Sequence, residues 1–161
     1  MRIITNANII MPDHVIAGGT LWIADGKIVA IKAGYVAREA VDAAWSTAEW
    51  MDAQGFYLAP GFIDIHVHGG GGYSVMSCDP DDIKDMCRAH TEYGTTSILP
   101  TTLAAPIPML KKAMDAVKIA QSESEESNIL GIHLEGPFLS PGQKGAQNEE
   151  NITTPTECDY I

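Results

Sequence analysis

The sequence predicts an α/β chain: a short all-β stretch first, then strands and helices in alternation that build a parallel sheet. Three observations carry that reading. The first sixty or so residues hold β-prone runs separated by tight turns, with no long helix, which suggests a small sheet or sandwich. From Phe62 the order becomes strand, helix, strand, helix, strand, as in βαβ units with right-handed crossovers. The polar groups that suggest chemistry then fall at the C-terminal ends of those strands, where parallel sheets keep their sites.

Each element has its own local reason. Arg2 to Met11 is rich in Ile and stops at Pro12-Asp13, and Gly18-Gly19 reads as a turn. Thr20 to Ile23 and Lys27 to Ile31 flank Ala24-Asp25-Gly26, and Asp-Gly is a strong type I′ hairpin signal. Val36 to Trp50 is alanine-rich and reads as an irregular excursion, after which Met51 to Leu58 is a strand broken by a glycine turn. The texture changes at Ala59-Pro60-Gly61. Phe62 to His68 is a dense apolar strand that ends in Gly69-Gly70-Gly71-Gly72. Asp79 then caps a helix, Pro80 suits its first position, and Ile83, Met86, Cys87 and His90 share its apolar face before the Gly94 stop. Thr95 to Leu99 is the second strand, closed by Pro100. A second helix from about Pro108 to Gln121 turns Leu110, Met114 and Val117 inward. Ser122 to Ser127 is a solvated turn, and Ile129 to Glu135 is the third strand. Thr154-Pro155-Thr156-Glu157 has the capping-box pattern of a helix start. A helix so near the last residue would be too short to hold itself in water, so a longer protein is expected.

Composition narrows the function. Of 161 residues, 45% are hydrophobic, which is enough for a core and excludes a disordered tail. Ten basic against 21 acidic residues leave a net charge of -11, so no nucleic-acid partner is expected. No apolar run approaches the roughly 18 residues of a membrane span, and the start shows no secretory pattern. Cys78, Cys87 and Cys158 form an odd set without C-x-x-C, read as reduced thiols of a cytoplasmic protein, with Cys87 packed in the core.

His66-Val67-His68 is the main chemical constellation. Residues i and i+2 of a strand share a face, so both imidazoles can reach one divalent metal ion. Two histidines in a hydrogen-bonded core would show the same pattern. Asp64 lies on that face and suits the orienting of a ligating histidine. The four glycines allow close backbone approach to a ligand, or simply connect strand to helix. Glu135, at the end of the third strand, reads as a metal ligand, a proton carrier or a structural ion-pair partner. His133 reads as a satisfied inner-face residue or a supporting one. Ser140 to Asn151, with Lys144-Gly145-Ala146-Gln147, is a substrate-holding loop or plain surface.

The residues also carry a resemblance. Met51-Asp52-Ala53-Gln54-Gly55, then Ala59-Pro60-Gly61-Phe62-Ile63-Asp64-Ile65-His66-Val67-His68-Gly69, is similar to the entry of the metal-dependent amidohydrolase superfamily. Three further runs are more specific: Gly94 to Thr102, Gly131 to Leu139 (Gly-Ile-His-Leu-Glu-Gly-Pro-Phe-Leu), and Lys144 to Gln147. Together they resemble the N-acetylglucosamine-6-phosphate deacetylase family, across essentially the whole chain but only the N-terminal part of that family's usual length.

The resemblance implies a (β/α)₈ TIM-like barrel with a small β-sandwich built from both chain ends. Residues 1–58 would then be a sandwich segment and residues 59–161 a truncated barrel with its first three strands, since a full barrel takes about 250 residues. The implied reaction removes acetyl from N-acetylglucosamine 6-phosphate, giving glucosamine 6-phosphate and acetate. Glu135 matches the third-strand metal ligand, and His66 and His68 match a pair that varies within the family and accompanies a second ion. One or two divalent ions are implied, zinc first and iron as the alternative. Ala146 and Gln147 match positions that touch the sugar. The acid/base aspartate, two later histidine ligands and the phosphate-binding basic residue are implied beyond Ile161, so the 161-residue piece alone is expected to be inactive. A homodimer is implied at full length. The competing readings are another amidohydrolase, such as a dihydroorotase-like cyclic amide hydrolase, and a non-catalytic remnant or interaction module.

Overall fold

The computed structural model describes residues 1–124 and 128–155. The chain divides into two compact units, Met1–Pro60 and Gly61–Ile161.

The first unit is one sheet. Its strands are β1 (Arg2–Ile10), β2 (Val15–Ala24), β3 (Lys27–Lys32), β4 (Glu49–Asp52) and β5 (Tyr57–Leu58), in the order β3-β2-β1-β4 with β5 also on β1. Strands β1, β2 and β3 are an antiparallel meander, whereas β4 and β5 run parallel to β1. A parallel neighbour needs a crossover rather than a hairpin. The alanine-rich excursion supplies it through two 3₁₀ turns, Arg38–Ala40 and Ala43–Trp45. The irregular stretch is shorter than expected, because Glu49 and Trp50 already pair with Arg2 and Ile3. Ile3 packs with Trp22 and Ala48 on one face of β1 and Ile4 with Leu21 on the other, and the register shift between Ile4 and Ala7, with Asn6 at φ +55°, brings Ala7 and Ile9 to the face of Ile4.

Glycine chemistry is confirmed at one turn and corrected at another. Asp25 (φ +49°) and Gly26 (φ +71°) both take positive φ, as a type I′ hairpin requires. Gly18-Gly19 is not a turn but lies inside β2, and the β1–β2 reversal occurs where the Met11 N–H donates to the His14 carbonyl at 2.9 Å. Between the Ala7↔Gly19 and Ile9↔Ile16 pairs the register shifts. A β-carbon at residue 19 would stand 2.8 Å from Ile9 Cδ1, so the glycine permits a bulge rather than a reversal.

The second unit carries the parallel sheet. Its elements are β6 (Phe62–Val67), β7 (Gly69–Gly70), β8 (Tyr73–Ser74), α1 (Pro80–Thr91), β9 (Thr95–Pro100), α2 (Ile107–Glu123) and β10 (Asn128–Ile129). The order is β10-β9-β6, all parallel, with α1 and α2 as the crossovers. Asp79 caps α1 by accepting from the Asp81 N–H at 2.8 Å, and Gly94 leaves the helix at φ +95°. The core joins Val75, Ile83, Met86, Cys87, Ile98, Val117 and Ile129. On α2, Leu110 and Val117 are buried as expected and Met114 only half so. Ala113, Ala116 and Ala120 fill the face instead.

The third strand is shorter than expected. Regular pairing ends at Ile129, and Gly131 (φ +153°) breaks the extended run. The chain nonetheless stays beside β9: Leu130 N–H donates to Ile98 at 2.9 Å, and His133 N–H to Pro100 at 3.0 Å. His133 therefore still reaches the strand end, through a bridge to Thr101. α2 runs through Ser122 and Glu123, so the turn expected at Ser122–Ser127 begins no earlier than Ser124; residues 125–127, Cys158, and Thr156 and Glu157 of the helix start expected at Thr154–Glu157 lie outside the described residues. Among the described residues no helix is long and apolar enough to cross a membrane.

Candidate metal centre

Alternation along β6 sends Val67 toward the hydrophobic core and His66 and His68 away from it. Both imidazoles meet one carboxylate oxygen. His66 Nε2 lies 2.9 Å from Glu135 Oε2, and His68 Nε2 lies 3.0 Å from the same atom. Glu135 is 69 residues from His66 in sequence, and the parallel arrangement of the strands brings it across. Donor atoms of the three residues all fall within 4.8 Å of one another. They form the one such His/Cys/Asp/Glu group among the described residues.

The surroundings fix each side chain. His68 Nδ1 donates to the Thr101 carbonyl at 3.1 Å, which leaves Nε2 to face Glu135. The His66 ring stands edge-on to His68 and His133, with centroids 5.1 and 4.7 Å apart. His133 Nδ1 lies 3.3 Å from the Thr101 hydroxyl, so His133 supports the site from the side. The Thr101 hydroxyl also accepts from Val67 N–H at 2.9 Å. Thr101 thus ties β6, β9 and the third strand together. The sequence reading passed over its role; the available signal was a polar residue immediately after a strand-closing proline.

Glu135 titrates below the ordinary carboxylate range. Burial pushes its pKa up, but hydrogen bonds from Gln147 and His66 and the charges of His68 and His66 outweigh that cost. Gly136, the next residue, takes φ +82°, and a β-carbon there would stand 2.8 Å from Ala104 Cβ. The turn behind Glu135 is therefore pressed against the segment that follows β9.

Two expectations change. Asp64 does not orient an imidazole; its carboxylate accepts from the His66 backbone N–H at 3.0 Å. The glycine run folds into the β7–β8 hairpin, where the space at Gly70 is taken by His90, whose Nε2 lies 3.1 Å from the Gly69 carbonyl. Those glycines are needed for close packing behind His68. On the 140–151 loop, Ala146 is exposed and Gln147 is buried. Gln147 Oε1 accepts from Ala104 N–H at 2.9 Å, and Lys144 Nζ donates to the Gln147 carbonyl at 3.1 Å.

This donor set fits a divalent cation. Tetrahedral ligation by nitrogen and oxygen places neighbouring ligand atoms roughly 3.3 Å apart, from metal–ligand bonds of about 2.0–2.2 Å. The imidazole–carboxylate spacings of 2.9 and 3.0 Å need only small adjustment. An open cavity of about 370 Å³, lined by residues 133–139, lies beside Glu135 and has room for a small molecule.

The sequence profile described as "Amidohydrolase family" matches residues 57–159. The chain belongs to the amidohydrolase family. Members are metal-dependent, in keeping with the His-His-Glu group. The N-acetylglucosamine-6-phosphate deacetylase of Bacillus subtilis is 35% identical over 154 residues, covering 93% of this chain and 37% of that protein. The N-acetylgalactosamine-6-phosphate deacetylase of Escherichia coli O157:H7 is 37% identical over 131 residues, covering 81% of this chain and 32% of that protein. The crystal structure of N-acetylglucosamine-6-phosphate deacetylase from Pasteurella multocida superposes with a TM-score of 0.79 at 31% identity, covering 94% of this chain and 38% of that one. This amidohydrolase chain thus spans about a third of the length of these relatives.

Proposed function

We propose that this amidohydrolase chain belongs to a deacetylase that hydrolyses the acetamide of N-acetylglucosamine 6-phosphate to glucosamine 6-phosphate and acetate. The observation that carries the reading is the convergence of His66, His68 and Glu135 on one point at the C-terminal ends of parallel strands. The deacetylases to which the chain is similar support it.

His66, His68 and Glu135 hold one or two divalent ions, zinc first and iron as the alternative. A bound ion supplies Lewis acidity toward the amide carbonyl and lowers the pKa of water. Glu135 offers a carboxylate oxygen, Oε2, that already lies within 3.0 Å of both imidazole Nε2 atoms. His68 offers Nε2, because the Thr101 carbonyl holds the proton on Nδ1. The loop with Ala146 and Gln147 meets the sugar, Ala146 from its exposed position. The sheet β6-β9-β10 is, on this reading, the opening of a (β/α)₈ barrel over residues 59–161, and residues 1–58 are a β-sandwich segment. The protein is cytoplasmic and homodimeric.

A second reading is the galacto epimer, N-acetylgalactosamine 6-phosphate, supported by the 37% identity to a deacetylase of that name. Free-amine release from both sugar phosphates, by the protein that carries these residues, decides between them. Glu135→Gln should lose bound metal and turnover together. Full metal occupancy at a normal rate in that variant would remove Glu135 from the mechanism.

A further inference from the structure

His133 is held by a hydroxyl that has one proton to give. Three groups surround Thr101 Oγ1: the Val67 N–H at 2.9 Å, the Leu99 carbonyl at 3.1 Å and His133 Nδ1 at 3.3 Å. A backbone N–H can only donate and a carbonyl can only accept. The hydroxyl therefore accepts from Val67 and gives its proton to Leu99, and its second lone pair is left for His133. All three contacts are hydrogen bonds only when Nδ1 carries the proton of the neutral ring. Nε2 is then a bare lone pair on the far side of the imidazole, without a hydrogen-bond partner among the described residues.

The ring is half-buried and lines the cavity beside Glu135. Its centroid is 4.7 Å from that of His66, so a molecule that reaches it stands next to the candidate metal centre. His133 is nonetheless outside the group whose donor atoms lie within 4.8 Å of one another, which leaves its lone pair to a ligand rather than to the ion. Among the side chains of residues 133–139, which line the cavity, only His133 and Glu135 are polar. A bare imidazole nitrogen and a carboxylate are both acceptors. Such side chains suit the O–H and N–H groups of a bound molecule and do not suit an anion.

We propose that His133 is a substrate-binding residue, whose Nε2, bared by the Thr101 hydroxyl, accepts a hydrogen bond from an O–H or N–H group of the amino sugar. The proposal rests on the amino-sugar reading of this site. It also places the phosphate away from residues 133–139.

Two-bond ¹H–¹⁵N spectra of the full-length protein in its Zn²⁺ form, above the ordinary imidazole pKa of about 6.5, read the tautomer directly. Nδ1 of His133 should be protonated and Nε2 bare; the opposite tautomer would overturn the proposal. On addition of glucosamine 6-phosphate the Nε2 resonance should shift as it gains a donor, and an Nε2 signal that stands still at saturation also sinks it. His133→Asn keeps an amide near the Nδ1 position and has nothing at Nε2. This variant should hold Co²⁺ within about twofold of the parent, and its KM for N-acetylglucosamine 6-phosphate should rise roughly 3- to 10-fold, the worth of one hydrogen bond, with kcat little changed. A tenfold loss of Co²⁺ affinity would instead make His133 a metal ligand and refute the substrate role. If the parent turns over and His133→Asn keeps its KM within twofold, the role of His133 alone falls. If the parent releases no amine from the sugar phosphate, the proposed reaction itself fails, and the donor assigned to His133 goes with it.

Discussion

Glu135 sits where burial and hydrogen bonding pull in opposite directions, and hydrogen bonding wins. Its pKa in the folded chain lies below the ordinary 4.5. A lowered carboxylate contributes stability that is fully present above its unfolded value and is lost as pH falls through the folded one. In urea unfolding without metal, the parent should therefore exceed Glu135→Gln at about pH 5, and the margin should shrink as pH falls below the ordinary carboxylate range. A margin that grows on acidification would mean that burial dominates. The imidazoles were legible at this scale, because i, i+2 spacing in a strand needs nothing beyond the sequence. Thr101 was not, because its hydroxyl meets Val67 and His133 from 34 and 32 residues away, and its carbonyl contact with His68 leaves no mark on residue type.

At the scale of elements, the segments following β9 and preceding Pro137 press together. Gly136→Ala puts a methyl group 2.8 Å from Ala104 Cβ at a positive φ. Left-handed strain and overpacking together should cost about 2–4 kcal/mol. The thermal midpoint should fall, and metal affinity with it, since Glu135 is the neighbouring residue. Helix packing offers a contrast. Ile83 is fully buried in the α1–α2–sheet core, so Ile83→Ala should cost about 2–5 kcal/mol in denaturant melts. Lys84, one residue along, bridges Asp81 and Glu123 at 2.8 Å each on the outside of the same helices. Lys84→Met should change stability far less, because solvent screens such pairs. The helices were legible through caps and periodicity. The third strand was read too long, since a run of β-prone residues does not reveal that Gly131 leaves the extended region. Gly18-Gly19 was misread for the related reason that the same residues serve turns and bulges.

At the scale of the whole molecule, Ile63 and Ile65 of β6 are 66% and 62% exposed. Exposed apolar patches of this kind bind hydrophobic dyes or partner surfaces. The 161-residue chain should enhance ANS fluorescence. Ile63→Thr with Ile65→Thr, which keeps β-branched side chains, should reduce that signal with little change in the melting temperature. An unchanged signal would place the dye elsewhere.

The sequence by itself determined the alternation of strands and helices, the hairpin at Asp25-Gly26, the capping of α1 and the pairing of two imidazoles on one strand face. All of these are local, set by periods of 2 and 3.6 residues and by backbone preferences within a few positions. Only the tertiary structure decided that Glu135 meets both histidines across 69 residues, that Thr101 sets the proton of His68, and that Ala104 orients Gln147. Those contacts depend on strand order and on backbone groups from distant segments, and neither is written in the spacing of side chains along the chain.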